Sequence, residues 1–232
     1  MSRRLVTVSV VVLAVAAPVC AQLLLPPDPA VSVGHRVPFV GFVDAQERPF
    51  VAAADGRPWV VSPFYARCKS TCSPLTSALQ RALSRSGLDA SEFRVMSVSF
   101  DPDETAERLQ MFRAHLGLPA EWLTLRARER TDLARMLAAI DFRTIVTDDG
   151  EFQHPNLIAI LTPDFRLAGY LFGVDFAPNE LADAVRQARV GPIAGRSHWR
   201  AFLAAALGFA VSAFVFVVAI ARHRRASQRS TG

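Results

Sequence analysis

Strand-like and helix-like patterns of apolar residues alternate along the central part of the chain. Short apolar runs rich in β-branched and aromatic residues are typical of strands. They occur at 59–61, 93–100, 121–125, 144–147, 156–161 and 167–172. Apolar residues at helical spacing lie between them. These predicted helices cover 75–87, 105–116, 131–140 and 178–189. Because a turn at Pro163-Asp164 joins the last two strands as a hairpin, we expect an α/β fold with a mixed sheet flanked by helices.

Two further apolar runs precede this pattern. Residues 38–43 and 49–53 are separated by the polar stretch Asp44-Ala45-Gln46-Glu47, and this arrangement predicts an N-terminal hairpin. Residues 22–34 are rich in proline and alanine, which is typical of an extended linker. We therefore predict a folded domain over residues 35–195.

The N-terminus has the pattern of a secretory signal. Arg3 and Arg4 precede the apolar run 5–17, and Val19-Cys20-Ala21 is a plausible cleavage site. The sequence therefore predicts a signal peptide over residues 1–21. Retention of this segment as an uncleaved anchor is the alternative.

The C-terminal region predicts a membrane span. Residues 201–221 contain no charged side chain, and a helix of this length crosses the hydrocarbon core of a bilayer. With Trp199 as an interfacial anchor, the predicted transmembrane helix covers 199–221, and the alternative is a buried helix of a soluble domain. The arginine-rich tail, 222–232, is expected in the cytoplasm, which places the domain on the periplasmic, extracytoplasmic side of a bacterial-type cell membrane.

The basic character of the chain comes from its two ends. The formal net charge is +5, but residues 22–195 contain all 21 acidic residues and only 18 of the 26 basic ones. A high isoelectric point often indicates nucleic acid binding. Here the surplus arginines flank the predicted membrane segments, so we exclude nucleic acid as a partner.

The two cysteines of the predicted domain are the first candidates for chemistry. Cys68 and Cys72 lie four residues apart at the start of a helical pattern, so we expect both sulfurs on one face of a helix near its N-terminus. That position favours thiolates, which either chelate a soft metal ion or form a redox-active pair. A structural disulfide and a zinc site are the alternatives. A disulfide closing so short a loop constrains the unfolded chain little, and structural zinc normally takes four protein ligands.

His154 is the candidate third ligand. It lies in the predicted loop between the strands at 144–147 and 156–161, which can approach the N-terminus of the cysteine helix. Two thiolates and one imidazole form a soft, low-coordinate site suited to Cu(I), with Cu(II) accessible. The remaining histidines are predicted to be surface residues: His35, His115, His198 and His223.

One acidic residue is a candidate partner of this site. Asp101 follows the strand predicted at 93–100, at the end of the sheet where sites form. It is a candidate for orienting His154 or tuning a bound metal. The alternative for this acidic segment is that Asp103 or Glu104 favours the N-terminus of the next helix.

Four segments carry motifs. They are Phe64-Tyr65-Ala66-Arg67-Cys68-Lys69-Ser70-Thr71-Cys72, Ser97-Val98-Ser99-Phe100-Asp101-Pro102, Trp122-Leu123-Thr124, and His154 with the later Thr162-Pro163-Asp164-Phe165-Arg166. Over residues 38–189 these motifs resemble the SCO/SenC family of copper proteins, which act in the assembly of cytochrome c oxidase. Ser73 precedes Pro74 where the family normally has proline at once, and the family's anchor is usually N-terminal, so the chain resembles a divergent member.

The resemblance implies a thioredoxin-like domain that binds copper through Cys68, Cys72 and His154. It implies a metallochaperone for the binuclear copper centre of cytochrome c oxidase subunit II, or of another copper enzyme, with a periplasmic copper donor as a further partner. A membrane-anchored thiol-disulfide oxidoreductase or peroxidase, with Cys68 and Cys72 as catalytic thiols, is the alternative from a different class. A membrane-bound redox or copper sensor is a third hypothesis.

Overall fold

The computed structural model describes residues 25–51 and 55–191. These residues form five helices and eight strands in the described part of the chain. The helices are α1 (Pro29–Ser32), α2 (Cys72–Arg85), α3 (Ala106–Leu116), α4 (Arg130–Ala139) and α5 (Pro178–Val190). The strands are β1 (Phe42–Asp44), β2 (Trp59–Phe64), β3 (Arg94–Ser99), β4 (Trp122–Ala127), β5 (Ile145–Val146), β6 (Phe152–Gln153), β7 (Leu157–Leu161) and β8 (Leu167–Phe172).

Six strands form the central sheet, in the order β1-β4-β3-β2-β7-β8. Strands β2, β3 and β4 are parallel, whereas β1, β7 and β8 each pair antiparallel with a neighbour. All six residues of β2 are buried, as expected for a central strand covered on both faces. The predicted mixed sheet is confirmed, and with its flanking helices it forms a thioredoxin-like α/β fold.

Local sequence signals explain where the helices lie. In α2 the buried residues Leu75, Leu79 and Leu83 recur every four positions and face the core. Helix α3 begins where the Thr105 side chain accepts the Arg108 N–H, and it ends at Gly117 with a positive φ of 56°.

The predicted N-terminal hairpin is present but short. Its two segments meet at the Val43–Pro49 bridge, and hydrogen bonds run on either side of it, from the Asp44 N–H to the Arg48 carbonyl at 3.0 Å and from the Phe50 N–H to the Phe42 carbonyl at 2.8 Å. The Asp44 carboxylate closes the turn by accepting the N–H groups of Gln46 and Arg48. Strand β1 pairs with β4 and becomes an edge of the central sheet.

Part of the predicted linker, 22–34, is helical rather than extended. Asp28 caps α1 by accepting the Ala30 N–H at 2.9 Å, and Pro29 occupies the first turn, where its missing N–H has no cost. Ser32 is buried, and its hydroxyl accepts a hydrogen bond from Tyr170 at 2.8 Å. This contact fixes the segment to β8.

A second sheet of two strands is separate from the central one. Strands β5 and β6 pair antiparallel and lead directly into His154, whereas the sequence pattern had predicted a strand followed by an irregular loop. Within residues 25–51 and 55–191, no helix has the length and apolar character needed to cross a membrane. The predicted signal peptide (1–21), transmembrane helix (199–221) and tail (222–232) lie outside the described residues.

Candidate metal centre

The turn between β2 and α2 carries both cysteines. Cys72 is the first residue of α2, but Cys68 lies in the preceding turn, so the prediction that both occupy one helix is wrong. The turn bends back so that the Cys72 N–H points at the Cys68 sulfur, with a donor–acceptor distance of 3.4 Å. The N-terminus of α2 therefore faces the Cys68 thiol, and this orientation favours its ionised form.

His154 approaches the cysteines from the β5–β6 hairpin. Its ring packs against Phe100, with centroids 4.9 Å apart, and against Phe142 and Tyr65 at 6.0 and 6.1 Å. The ligand atoms of Cys68, Cys72 and His154 all lie within 4.8 Å of one another. The structure thus brings together the three residues that the sequence singled out.

The two thiols share one proton unequally. A hydrogen bond from Cys72, supported by His154 and by backbone N–H groups, lowers the pKa of Cys68 to about 2. The same bond to Cys68, together with burial, raises the pKa of Cys72 well above its usual range. We therefore assign the negative charge to Cys68 and the shared proton to Cys72.

The donor set fits a soft metal ion. Both cysteines are free thiols, and thiolate sulfur with imidazole nitrogen suits copper and zinc better than magnesium or calcium. Three ligands are fewer than a closed structural zinc site normally uses. Cys72 is buried while Cys68 and His154 are partly exposed, so one side of the cluster faces solvent. His35 and His115 are exposed and stand apart from this cluster.

Asp101 supports the cysteine turn. It is buried, and its Oδ2 accepts a hydrogen bond from Nε of Arg67 at 2.7 Å. In the described part of the chain, no hydrogen bond joins Asp101 to His154. Its influence on the cluster therefore passes through Arg67, which immediately precedes Cys68.

Two further carboxylates, which no sequence pattern assigns to the site, contact the cysteine turn. Glu104 is buried, and its Oε2 accepts both the Ala66 N–H and the Ser99 hydroxyl at 2.8 Å. Glu151 accepts a hydrogen bond from the Tyr65 hydroxyl at 2.7 Å. The only sequence signal for Glu104 was its place in the acidic segment after a strand.

Comparison with known proteins agrees with this geometry. The fold and cluster define a thioredoxin-like protein with a Cys-Cys-His site, and the SCO1/SenC family profile matches residues 36–189. The chain belongs to the SCO1/SenC family, which confirms the resemblance seen in the sequence. No curated protein matches the chain at a significant level.

Solved structures of similar fold include family members. An Aquifex aeolicus VF5 protein, named for a provisional role in electron transfer, is 30% identical with a TM-score of 0.65, over 72% of this chain and 98% of that one. ScoI of Bradyrhizobium japonicum, solved with copper bound, is 18% identical with a TM-score of 0.52, over 67% and 98%. A SCO1/SenC family lipoprotein of Bacillus anthracis is 19% identical with a TM-score of 0.56, over 68% and 95%.

Proposed function

We propose that the protein binds copper as cargo through Cys68, Cys72 and His154 and delivers it to the binuclear copper centre of cytochrome c oxidase. The observation that carries the proposal is the convergence of two free thiols and one imidazole within 4.8 Å. Family membership supports copper as the ion, because a fold relative is known with copper bound.

The unequal environments of the ligands suit capture and release. The Cys68 thiolate is ready to bind, while Cys72 loses its proton as the metal enters, so binding releases a proton. Cys72 is buried beneath the partly exposed Cys68 and His154. An acceptor protein can therefore replace the two outer ligands first and the inner sulfur last.

Copper binding is tested with the reduced full-length protein and a Cu(I) chelator of known affinity. We expect Cys68→Ser and Cys72→Ser to lose tight Cu(I) binding, and His154→Ala to weaken Cu(II) binding. His115→Ala is the matched control, because that histidine is exposed on α3. Parent-like affinity in both cysteine variants would overturn the assignment.

Delivery requires the domain and its acceptor to share a compartment. The predicted signal at 1–21 and the predicted span at 199–221 support an anchored domain on the periplasmic side. The test is protease treatment of spheroplasts, with an epitope after residue 232. The proposal expects the domain to be digested while the tagged tail stays protected, and a protected domain contradicts it.

Thiol-disulfide exchange is the second candidate function, favoured by the lowered pKa of Cys68. The Cys68 thiolate would attack a substrate disulfide, and Cys72 would then release the reduced substrate by closing a Cys68–Cys72 disulfide. Single-turnover reduction of an oxidase subunit II disulfide distinguishes the two functions. Undiminished reduction by His154→Ala, with no copper transfer by the parent protein, would favour exchange over delivery.

A further inference from the structure

The ligands of the metal centre come from two separately folded segments. The cysteines belong to the β2–α2 turn, which continues from the central sheet. His154 ends the segment 145–154, which we term the histidine arm, and its two strands pair only with each other. No β-ladder in the described residues fixes the arm to the central sheet before β7, so side chains must set its position over the cysteines.

Arg67 is one of the side chains that bridge these segments. Its Nε donates to Asp101 Oδ2 at 2.7 Å, and its Nη1 donates to the carbonyl oxygen of Gly150, in the turn of the arm, at 2.7 Å. Its guanidinium carbon also lies 5.0 Å from the centre of the Phe152 ring. One side chain, adjacent to Cys68, thus contacts the segment that follows β3 and two residues of the arm.

The anchor of this bridge is rigid. The Asp101 side chain is only 2% exposed, its second oxygen accepts the Asp103 N–H at 3.0 Å, and its own N–H points at the Ser99 hydroxyl. A planar guanidinium directs two N–H groups along fixed, different directions, which a lysine ammonium on a flexible stem does not reproduce. The geometry therefore requires arginine rather than positive charge alone.

We infer that Arg67 is a positioning residue that holds the histidine arm closed over the cysteines and thereby sets whether His154 completes the metal site. The copper part of this inference rests on the proposed function. The closure of the arm does not, because Arg67 contacts Asp101 and Gly150 and none of the three metal ligands.

A second tie limits the effect of losing Arg67. The Tyr65 hydroxyl donates to Glu151 at 2.7 Å, and Lys69 contacts the same carboxylate at 3.2 Å. The arm should therefore loosen without detaching. Loss of such outer contacts typically weakens metal binding or activity by about 10–100-fold, and we expect a loss in this range.

The loss of affinity should affect Cu(II) and spare Cu(I). Two thiolates alone hold Cu(I), a soft ion that accepts low coordination numbers, whereas Cu(II) gains more from the imidazole. A loosened arm therefore leaves Cu(I) bound to Cys68 and Cys72, and it weakens the bond between His154 and Cu(II).

The test compares Arg67→Met and Arg67→Lys with Arg94→Met in the full-length protein. Arg94 is a matched control because it is similarly exposed (30% against 35%), binds Asp55 and lies 5.3 Å from the Trp59 ring. It stands at the opposite end of β3 from Asp101. Any general cost of removing a paired, stacked arginine should appear equally in the control.

Two readouts separate arm closure from copper binding. In metal-free protein, amide hydrogen exchange of residues 145–154 should accelerate in both Arg67 variants and not in Arg94→Met, while exchange in α2 stays unchanged. In copper-loaded protein, the Arg67 variants should bind Cu(II) about 10–100-fold more weakly than the parent. Their Cu(II) spectrum should shift toward that of His154→Ala, and their Cu(I) affinity should stay near that of the parent.

Each outcome decides a separate claim. Parent-like exchange in the arm of Arg67→Met, or a parent-like Cu(II) spectrum, overturns the positioning role. Parent-like behaviour of Arg67→Lys overturns the argument from guanidinium geometry, and this variant decides the matter if Arg67→Met does not fold. A third outcome is faster exchange in the arm of the Arg67 variants together with a parent protein that binds no copper. This outcome supports the positioning role and refutes the proposed function.

Discussion

Glu104 anchors the turn that carries Cys68, and changing it to glutamine tests how strongly a buried carboxylate holds that turn. Its Oε2 accepts the Ala66 N–H and the Ser99 hydroxyl at 2.8 Å, and its Oε1 accepts the Thr105 N–H at 3.2 Å. In Glu104→Gln only one side-chain oxygen remains as an acceptor. The NH2 group of the new amide must then face at least one backbone N–H, and two donors cannot form a hydrogen bond with each other.

The expected cost follows from these contacts. Hydrogen bonds to charged groups contribute about 1.5–3 kcal/mol and neutral ones about 0.5–1.5 kcal/mol. Removing the charge from the two short bonds therefore costs about 2 kcal/mol, and the unsatisfied N–H adds about 1 kcal/mol. The sum of about 3 kcal/mol corresponds to a fall of roughly 6–12 °C in melting temperature for a domain of this size.

The assay is reversible urea unfolding of the reduced, metal-free protein, followed by tryptophan fluorescence. Glu107→Gln is the control, because it removes the same charge from an exposed position in the first turn of α3. A surface change of this kind should stay within about 0.5 kcal/mol. If Glu104→Gln loses no more stability than Glu107→Gln, the carboxylate does not anchor the turn.

Three further predictions concern Cys68, Gly41 and Phe100. Because the lowered pKa of about 2 keeps Cys68 ionised, its alkylation by iodoacetamide should stay fast from about pH 8 to pH 5, and mass spectrometry should find Cys72 unmodified. A tenfold fall in the alkylation rate per pH unit contradicts the assignment of the negative charge to Cys68. Gly41→Ala should destabilise the protein more than Gly56→Ala in urea unfolding. The φ angles are nearly the same (+76° and +77°), so the backbone strain is matched, but only at Gly41 does the added Cβ collide with the Asp132 carboxylate. Equal losses of stability would show that the carboxylate moves aside freely. Phe100→Ala should lower the free energy of unfolding by about 3–5 kcal/mol, since Phe100 is 2% exposed and packs on His154. Phe172→Ala, which removes a half-exposed ring, is the control, and an equal loss of stability in the two variants would show that the packing of Phe100 does not stabilise the site.

Elements defined by local signals were predictable from the sequence. The predicted helix at 105–116 corresponds to α3 (Ala106–Leu116), because its capping threonine and terminal glycine lie within the segment itself. The predicted strand at 156–161 corresponds to β7 (Leu157–Leu161), a continuous apolar run. The cysteine pair and His154 could be selected because few side chains bind soft metals.

Contacts between distant segments were not predictable in the same way. Glu104 meets Ala66 across 38 residues, and Arg67 meets Gly150 across 83. Neither pair has a local pattern, since a buried glutamate and a surface glutamate look alike in a sequence. The prediction of one helix for Cys68 and Cys72 was wrong for a related reason: spacing of four residues permits a shared helix face, but the chain instead turns before α2.

The parallel pairing of β2 and β3 explains why these supports lie where they do. The ladder places Phe64, the last residue of β2, directly beside Ser99, the last residue of β3. The chain segments that follow both strands must therefore emerge side by side at one edge of the sheet. One carries Cys68 and the other carries Asp101 and Glu104, so the acidic segment meets the cysteine turn through its Ala66 N–H and Arg67 guanidinium. Asp101 and Glu104 thus act on the metal centre by fixing the backbone and the arginine next to Cys68, and Asp101 reaches His154 through the arm that Arg67 holds.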